Sequence, residues 1–75
     1  MSESNNLINP TLLQMKYSRV ISLLAKKLEV DIPAAMDLFY RSETYKKLSE
    51  PGNQLHNRSD LYLVDELILE FQGRQ

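Results

Sequence analysis

Asn9-Pro10-Thr11-Leu12-Leu13-Gln14-Met15-Lys16-Tyr17-Ser18-Arg19-Val20-Ile21-Ser22-Leu23-Leu24-Ala25-Lys26-Lys27-Leu28 is the stretch that decides the fold. Leu13, Tyr17, Val20, Ile21, Leu24 and Leu28 fall at offsets 0, 4, 7, 8, 11 and 15. At roughly 100° per residue they share one narrow stripe, the pattern of an amphipathic helix. Asn9 is a good N-cap, and Pro10 at the first helical position gives up only an N–H that would lack a partner anyway. Lys16, Arg19, Lys26 and Lys27 lie away from the stripe's centre, and the last two suit the negative end of the helix dipole.

Working outward from this helix, Glu29-Val30 is a short connection and Asp31 caps a second helix, with Pro33 tolerated in its first turn. Ala35, Leu38 and Phe39 form its apolar arc, followed closely by Tyr40. Ser42 interrupts and caps a short third segment, Glu43 to Ser49, which contributes Tyr45 and Leu48. Pro51-Gly52-Asn53 is the clearest punctuation in the chain, opening a turn region that runs to about Arg58 with Leu55 facing inward. Ser59 caps the last helix, Asp60 suits its first turn, and Gly73 stops it. Leu61, Val64, Leu67, Ile68 and Phe71, at offsets 0, 3, 6, 7 and 10, are expected to form its inner face. The fold class is therefore all-α: a compact bundle of three main helices plus one short helix or turn. Residues 1–8 form a flexible polar leader and residues 9–75 a single helical domain.

The chain has 75 residues, enough for one domain that buries only roughly 60% of its unfolded surface. Nine Lys and Arg against ten Asp and Glu leave a net charge of -1, so no global electrostatic pull toward nucleic acid or acidic lipid is expected. Without cysteine there is no disulfide framework, thiolate nucleophile or Cys-ligated zinc. The single histidine, His56, excludes mechanisms that need two imidazoles. The start of the chain, Met1-Ser2-Glu3-Ser4-Asn5-Asn6, lacks the basic and apolar regions of a secretory signal. No apolar run approaches the ~18 residues of a membrane span. These features predict a cytoplasmic protein with no membrane association.

The inventory for catalysis is thin. A general-base reading would put His56 under the orientation of Asp60, but a loop imidazole in a turn or capping hydrogen bond explains the same residue. Asp65, Glu66 and Glu70 form an acidic face on the last helix. Carboxylate metal sites in bundles draw ligands, usually with histidines, from several helices, so one helix offers half a site at most. A solvated face is expected instead. No phosphate loop, dinucleotide fingerprint, EF-hand or His-Glu zinc motif is present. The sequence predicts no enzyme, cofactor, metal or small-molecule substrate.

What exceeds the needs of a lone bundle is apolar surface. Tyr62, Leu63 and Leu69 lie outside the expected inner face of the last helix, with Tyr62 and Leu69 opposite it. Leu12, Met15 and Leu23 lie off the main stripe of the first helix. Apolar residues beyond one stripe imply deeper burial or a partner. Tyrosine suits an interface because its ring buries area while its hydroxyl stays satisfied. The predicted contacts are Tyr40, Tyr45, Tyr62 and Leu69, with Leu12 and Leu23 secondary, and the predicted occupant is a protein partner or a second copy. An alternative is a small helix-turn-helix-like nucleic-acid-binding regulator using Arg41, Lys46 and Lys47. Against it, Glu43 and Glu50 flank the two lysines, and no glycine between residues 31 and 42 makes the usual tight turn.

Ala35-Met36-Asp37-Leu38-Phe39-Tyr40-Arg41-Ser42-Glu43-Thr44-Tyr45-Lys46-Lys47-Leu48 carries the pattern A-x-x-x-F-Y-x-S-x-T-Y-x-x-L, extended by Leu55, Ser59, Tyr62 and Glu66. It resembles a family of short uncharacterised bacterial helical proteins with a Phe-Tyr-x-Ser helix end, a Thr-Tyr-x-x-Leu turn and an acidic C-terminal helix. The resemblance covers about half of the chain, from Ile32 to Glu70. It implies a compact helical domain. Because some such proteins are encoded beside toxin-like genes, it also implies an antitoxin or adaptor role. Pro51-Gly52-Asn53-Gln54 departs from the family habit, where a more acidic turn is expected.

Overall fold

A computed structural model describes residues 10–50, 52 and 55–74, the side chains at 10, 56 and 74 excepted. The leader at 1–8, the Asn9 cap expected for the first helix, the side chain of His56 and the turn residues Pro51, Asn53 and Gln54 lie outside the described residues. Among the described residues the chain is helical, without strands: α1 Pro10–Leu28, α2 Ile32–Tyr40, α3 Glu43–Leu48 and α4 Asp60–Leu69. A single 3-10 turn, Leu55–Asn57, precedes α4, and a wide terminal turn, Glu70–Arg74, follows it. This is the predicted bundle of three main helices and one short one.

The helix starts are those of the local capping chemistry. Asp31 accepts from the Ala34 N–H at 3.0 Å, Ser42 from Tyr45 at 2.9 Å and Ser59 from Tyr62 at 3.0 Å. Each side-chain oxygen thereby satisfies an N–H that has no partner within its own helix. Arg41 and Ser42 alone separate α2 from α3, so the two are distinct helices joined at a tight corner. At the other end of the chain Gly73 has a φ of 98°, the left-handed conformation of a glycine stop.

The end of α1 takes the same left-handed step without glycine. Val30 donates to the Ala25 carbonyl at 3.0 Å and Glu29 to Lys26 at 3.3 Å, the paired bonds of a Schellman closure. Glu29 supplies the positive φ, at 59°, where glycine is the usual residue. The closure reverses the chain, and α2 folds back along α1 until the Phe39 and Tyr17 rings meet at 5.3 Å.

The core joins Tyr17, Val20, Ile21, Leu24 and Ala25 of α1 to Ala35 and Phe39 of α2, Leu48 of α3, and Leu63, Val64 and Leu67 of α4. Leu13, Leu28, Leu55, Ile68 and Phe71 close over it, partly buried. One expectation fails here. Leu61, assigned to the inner face of α4, is 56% exposed, while Leu63, assigned outside it, is fully buried. Leu61 fits helical spacing with Val64 and Leu63 with Leu67, so the apolar pattern alone does not choose between them. Asp60 and Glu70 choose. At about 100° per residue the Asp60 and Glu70 carboxylates lie on the side of α4 that carries the buried Leu63, Val64 and Leu67, with Leu61 turned away from it. Both carboxylates reach inward partners, and that fixes the rotation of α4.

Candidate functional site

Four rings form a continuous cluster where α1, α2 and α3 meet. Phe39 lies 5.3 Å from Tyr17, 5.0 Å from Tyr40 and 5.3 Å from Tyr45, centroid to centroid. Tyr45 completes it at 5.8 Å from Tyr17 and 4.8 Å from Tyr40, edge to face. These tilted and edge-on arrangements set the positive rim of one ring against the negative face of the next. Burial pushes the Tyr17 hydroxyl above its ordinary pKa, and the neighbouring Tyr45 and Tyr40 add to the rise. Tyr17 and Phe39 are buried, Tyr45 is half-buried and Tyr40 faces outward.

The exposed Tyr40 ends a ridge. Ile32, Met36 and Tyr40 stand at i, i+4 and i+8 on α2 and are exposed by 44%, 43% and 40%. Successive members of such a series are neighbours on one helix face. The inner arc of the same helix, Ala35 and Phe39, is fully buried. Thus the apolar arc of α2 is wide, and the bundle covers only the part that carries Ala35 and Phe39. The sequence reading singled out Tyr40 and missed Ile32 and Met36. Their four-residue spacing was the available signal, masked by the stronger Ala35–Phe39 arc.

The other predicted contacts divide. Tyr62 and Leu69 lie seven residues apart on the outward face of α4, both exposed, as expected. The Arg58 guanidinium stands 5.2 Å from the Tyr62 ring centre, a cation–π contact that ties the preceding turn to α4. Leu12 is exposed on α1 together with Met15. Tyr45 and Leu23 are partly buried and pack against the core, so part of their apolar surface is used within the bundle.

The basic residues of the nucleic-acid reading each face outward, two of them beside carboxylates of their own helix. Arg41 pairs with Asp37 at 3.1 Å and Lys46 with Glu43 at 3.3 Å, which offsets charge that a phosphate would seek. Lys47 is exposed. The helix carrying the two lysines has six residues, less than two turns to lay in a groove.

The carboxylates of α4 do more than solvate a face. Asp60, invoked above as an orienter of His56, has one oxygen 3.0 Å from Lys16 Nζ and the other 2.7 Å from Arg19 Nε. These bonds, that of Arg19 foremost, hold its carboxyl below the usual carboxylate range. Glu70, assigned to a solvated face, is instead a cap for another helix. Its two oxygens accept from the Glu43 N–H at 2.7 Å, the Thr44 N–H at 3.3 Å and the Thr44 hydroxyl at 3.1 Å. With Ser42 taking the Tyr45 N–H, the first three N–H groups of α3 all have acceptors. Asp65 and Glu66 point outward and are exposed. Among the described residues no three His, Cys, Asp or Glu side chains gather as a metal site requires. Nor is any described helix long and apolar enough to cross a membrane.

Comparison of the chain with protein-family models, with curated proteins and with solved structures yields no match.

Proposed function

We propose that the chain is a small protein–protein interaction module of the adaptor or antitoxin kind, acting in the bacterial cytoplasm. The observation that carries this reading is the α2 ridge of Ile32, Met36 and Tyr40. Three apolar side chains in line on a helix are the anchors of helix-in-groove recognition, so the fitting partner is a protein with an apolar groove. Met36 supplies an adaptable side chain. Tyr40 is supported by Phe39 and Tyr45, so little rotamer freedom is lost when its ring is covered. The absence of cysteine suits a reducing compartment.

The test is capture of partners by the tagged chain from its native lysate, read by mass spectrometry with and without nuclease, beside the Met36→Glu variant. A charge at the centre of the ridge is expected to abolish capture of a stoichiometric protein while circular dichroism shows unchanged helicity. The same partner on both baits at equal yield would overturn the assignment. Capture that vanishes with nuclease and falls steeply with salt would replace it with nucleic-acid binding through Arg41, Lys46 and Lys47.

A further inference from the structure

Of the four tyrosines, three form one connected line and the fourth stands apart. Buried Tyr17 lies 5.8 Å from half-buried Tyr45, and Tyr45 lies 4.8 Å from exposed Tyr40, centroid to centroid. In the second pair the ring planes stand at 78°, so the rim of one ring already touches the face of the other. Tyr40 borders solvent, and exposed side chains change rotamer within nanoseconds, so its ring can turn until the two rims meet. Tyr62, on the outward face of α4, meets the Arg58 guanidinium rather than another ring. The chain has no tryptophan and no cysteine, which leaves tyrosine as the side chain most readily oxidised by one electron.

We infer that Tyr40 and Tyr45 are a site of oxidative crosslinking, where a haem-peroxidase-type oxidant supplied with hydrogen peroxide joins the two rings by a carbon–carbon bond. Each phenol gives up one electron and its hydroxyl proton and becomes a phenoxyl radical. The two unpaired electrons form one bond between ring carbons ortho to the oxygens. The hydrogen on each of those carbons then moves to the oxygen of its own ring, which restores both phenols. The two electrons and two protons released reduce one hydrogen peroxide to two waters. Tyr40 is the point of entry, because it faces outward; Tyr45 refills it across 4.8 Å, and a second oxidation of Tyr40 sets two radicals side by side. Held on either side of the Arg41–Ser42 corner, they meet without diffusion, whereas a radical on Tyr62 has to find a second molecule. The product bridges α2 and α3 covalently. The inference does not depend on the interaction-module reading.

The full chain treated with a haem peroxidase and limiting hydrogen peroxide, over a range of dilute chain concentrations, tests this. Dityrosine fluorescence in the monomer and mass spectrometry of tryptic peptides read the product. Trypsin cuts after Lys27, Arg41 and Lys46, so Tyr40 and Tyr45 leave on separate peptides, residues 28–41 and 42–46. The expected product is these two peptides joined, lighter by two hydrogens than their sum, at a yield independent of chain concentration. Peroxide also adds oxygen to the exposed Met15 and Met36, which changes peptide mass without linking peptides. Tyr40→Phe and Tyr45→Phe each keep the ring but remove the phenol and should abolish the linked pair and the monomer's fluorescence; Tyr62→Phe should leave both unchanged. A wild-type chain without the linked pair, a yield that rises with chain concentration, crosslinked dimers as the main product, or fluorescence that survives either of the first two substitutions would each overturn the inference.

Discussion

At the start of α4, Asp60 holds two cations from α1; at its far end, Glu70 holds two backbone N–H groups and a hydroxyl of α3. The residues are chemically alike and both bonds tie distant segments, yet the partners differ. Lys16 and Arg19 are long side chains that lose rotamer freedom when fixed, and Arg19 is largely exposed. The N–H groups of Glu43 and Thr44 are already fixed by the helix and have no acceptor within it. An acceptor supplied there satisfies a need that exists anyway, and a negative charge at that position also complements the helix dipole. The Glu70 end should therefore matter more to stability than the Asp60 end, although Asp60 makes the ion pairs and the shortest bonds at the two ends are both 2.7 Å.

The strongest way to break the comparison is to cut what lies between the two ends. Leu67 is fully buried in the core. Leu67→Ala should cost about 2–5 kcal/mol, through lost burial and the cavity left behind. Urea denaturation would read it. If α4 docks as one unit, hydrogen exchange should speed up at both ends together; acceleration at one end only would show that each end is held separately.

Next in size is Glu70 itself. Glu70→Ala leaves the Glu43 and Thr44 N–H groups without their acceptor and should cost about 1–2 kcal/mol. Glu70→Gln keeps one acceptor oxygen and should lose about half as much. A loss no larger than that from removing Asp60 would refute the ranking of the two ends.

The C-terminus of α1 sharpens the contrast, because it closes through backbone bonds alone and holds a non-glycine residue in a left-handed conformation. Glu29→Gly removes the Cβ that disfavours this conformation, and should raise stability by about 0.5–1 kcal/mol. A loss of stability would mean that the side chain of Glu29 contributes something beyond its backbone position.

These residues also mark how far the sequence was legible. Capping by Asp31, Ser42 and Ser59 acts over three residues, so the starts of α2, α3 and α4 could each be read from their own neighbourhood. The α1 stripe was legible because six apolar residues agree on one face. The rotation of α4 was not, since Leu61 and Leu63 are equivalent until something fixes which flank meets α1 and which meets α3. That information resides in Asp60 and Glu70, whose partners are 41 and 27 residues away. Local pattern showed Glu66 and Glu70 only as carboxylates one turn apart. The α2 ridge was hidden for a different reason: a short helix whose apolar arc is wide shows no narrow stripe, and Ala35 and Phe39 mark only one edge of that arc.

The smallest effect belongs to Asp60, and its pH dependence makes it separable from Glu70. Asp60→Asn removes a part-buried ion pair with Lys16 and a more exposed one with Arg19, and should cost about 0.5–1 kcal/mol near neutral pH. The Asp60 carboxyl is held below its ordinary range chiefly by the Arg19 hydrogen bond, so the folded state binds its proton less readily than the unfolded chain. In the interval between the folded value and the ordinary value of about 3.9, the unfolded state therefore carries more protons, and stability rises with pH. The contribution is fully present above the unfolded value and is lost as pH falls through the folded one. Urea midpoints measured for both proteins through the acid range should converge as pH falls, because protonation removes from the wild type what the substitution removes outright. A difference that persists unchanged at low pH would mean that the side chain acts at this helix start by shape or capping rather than by charge.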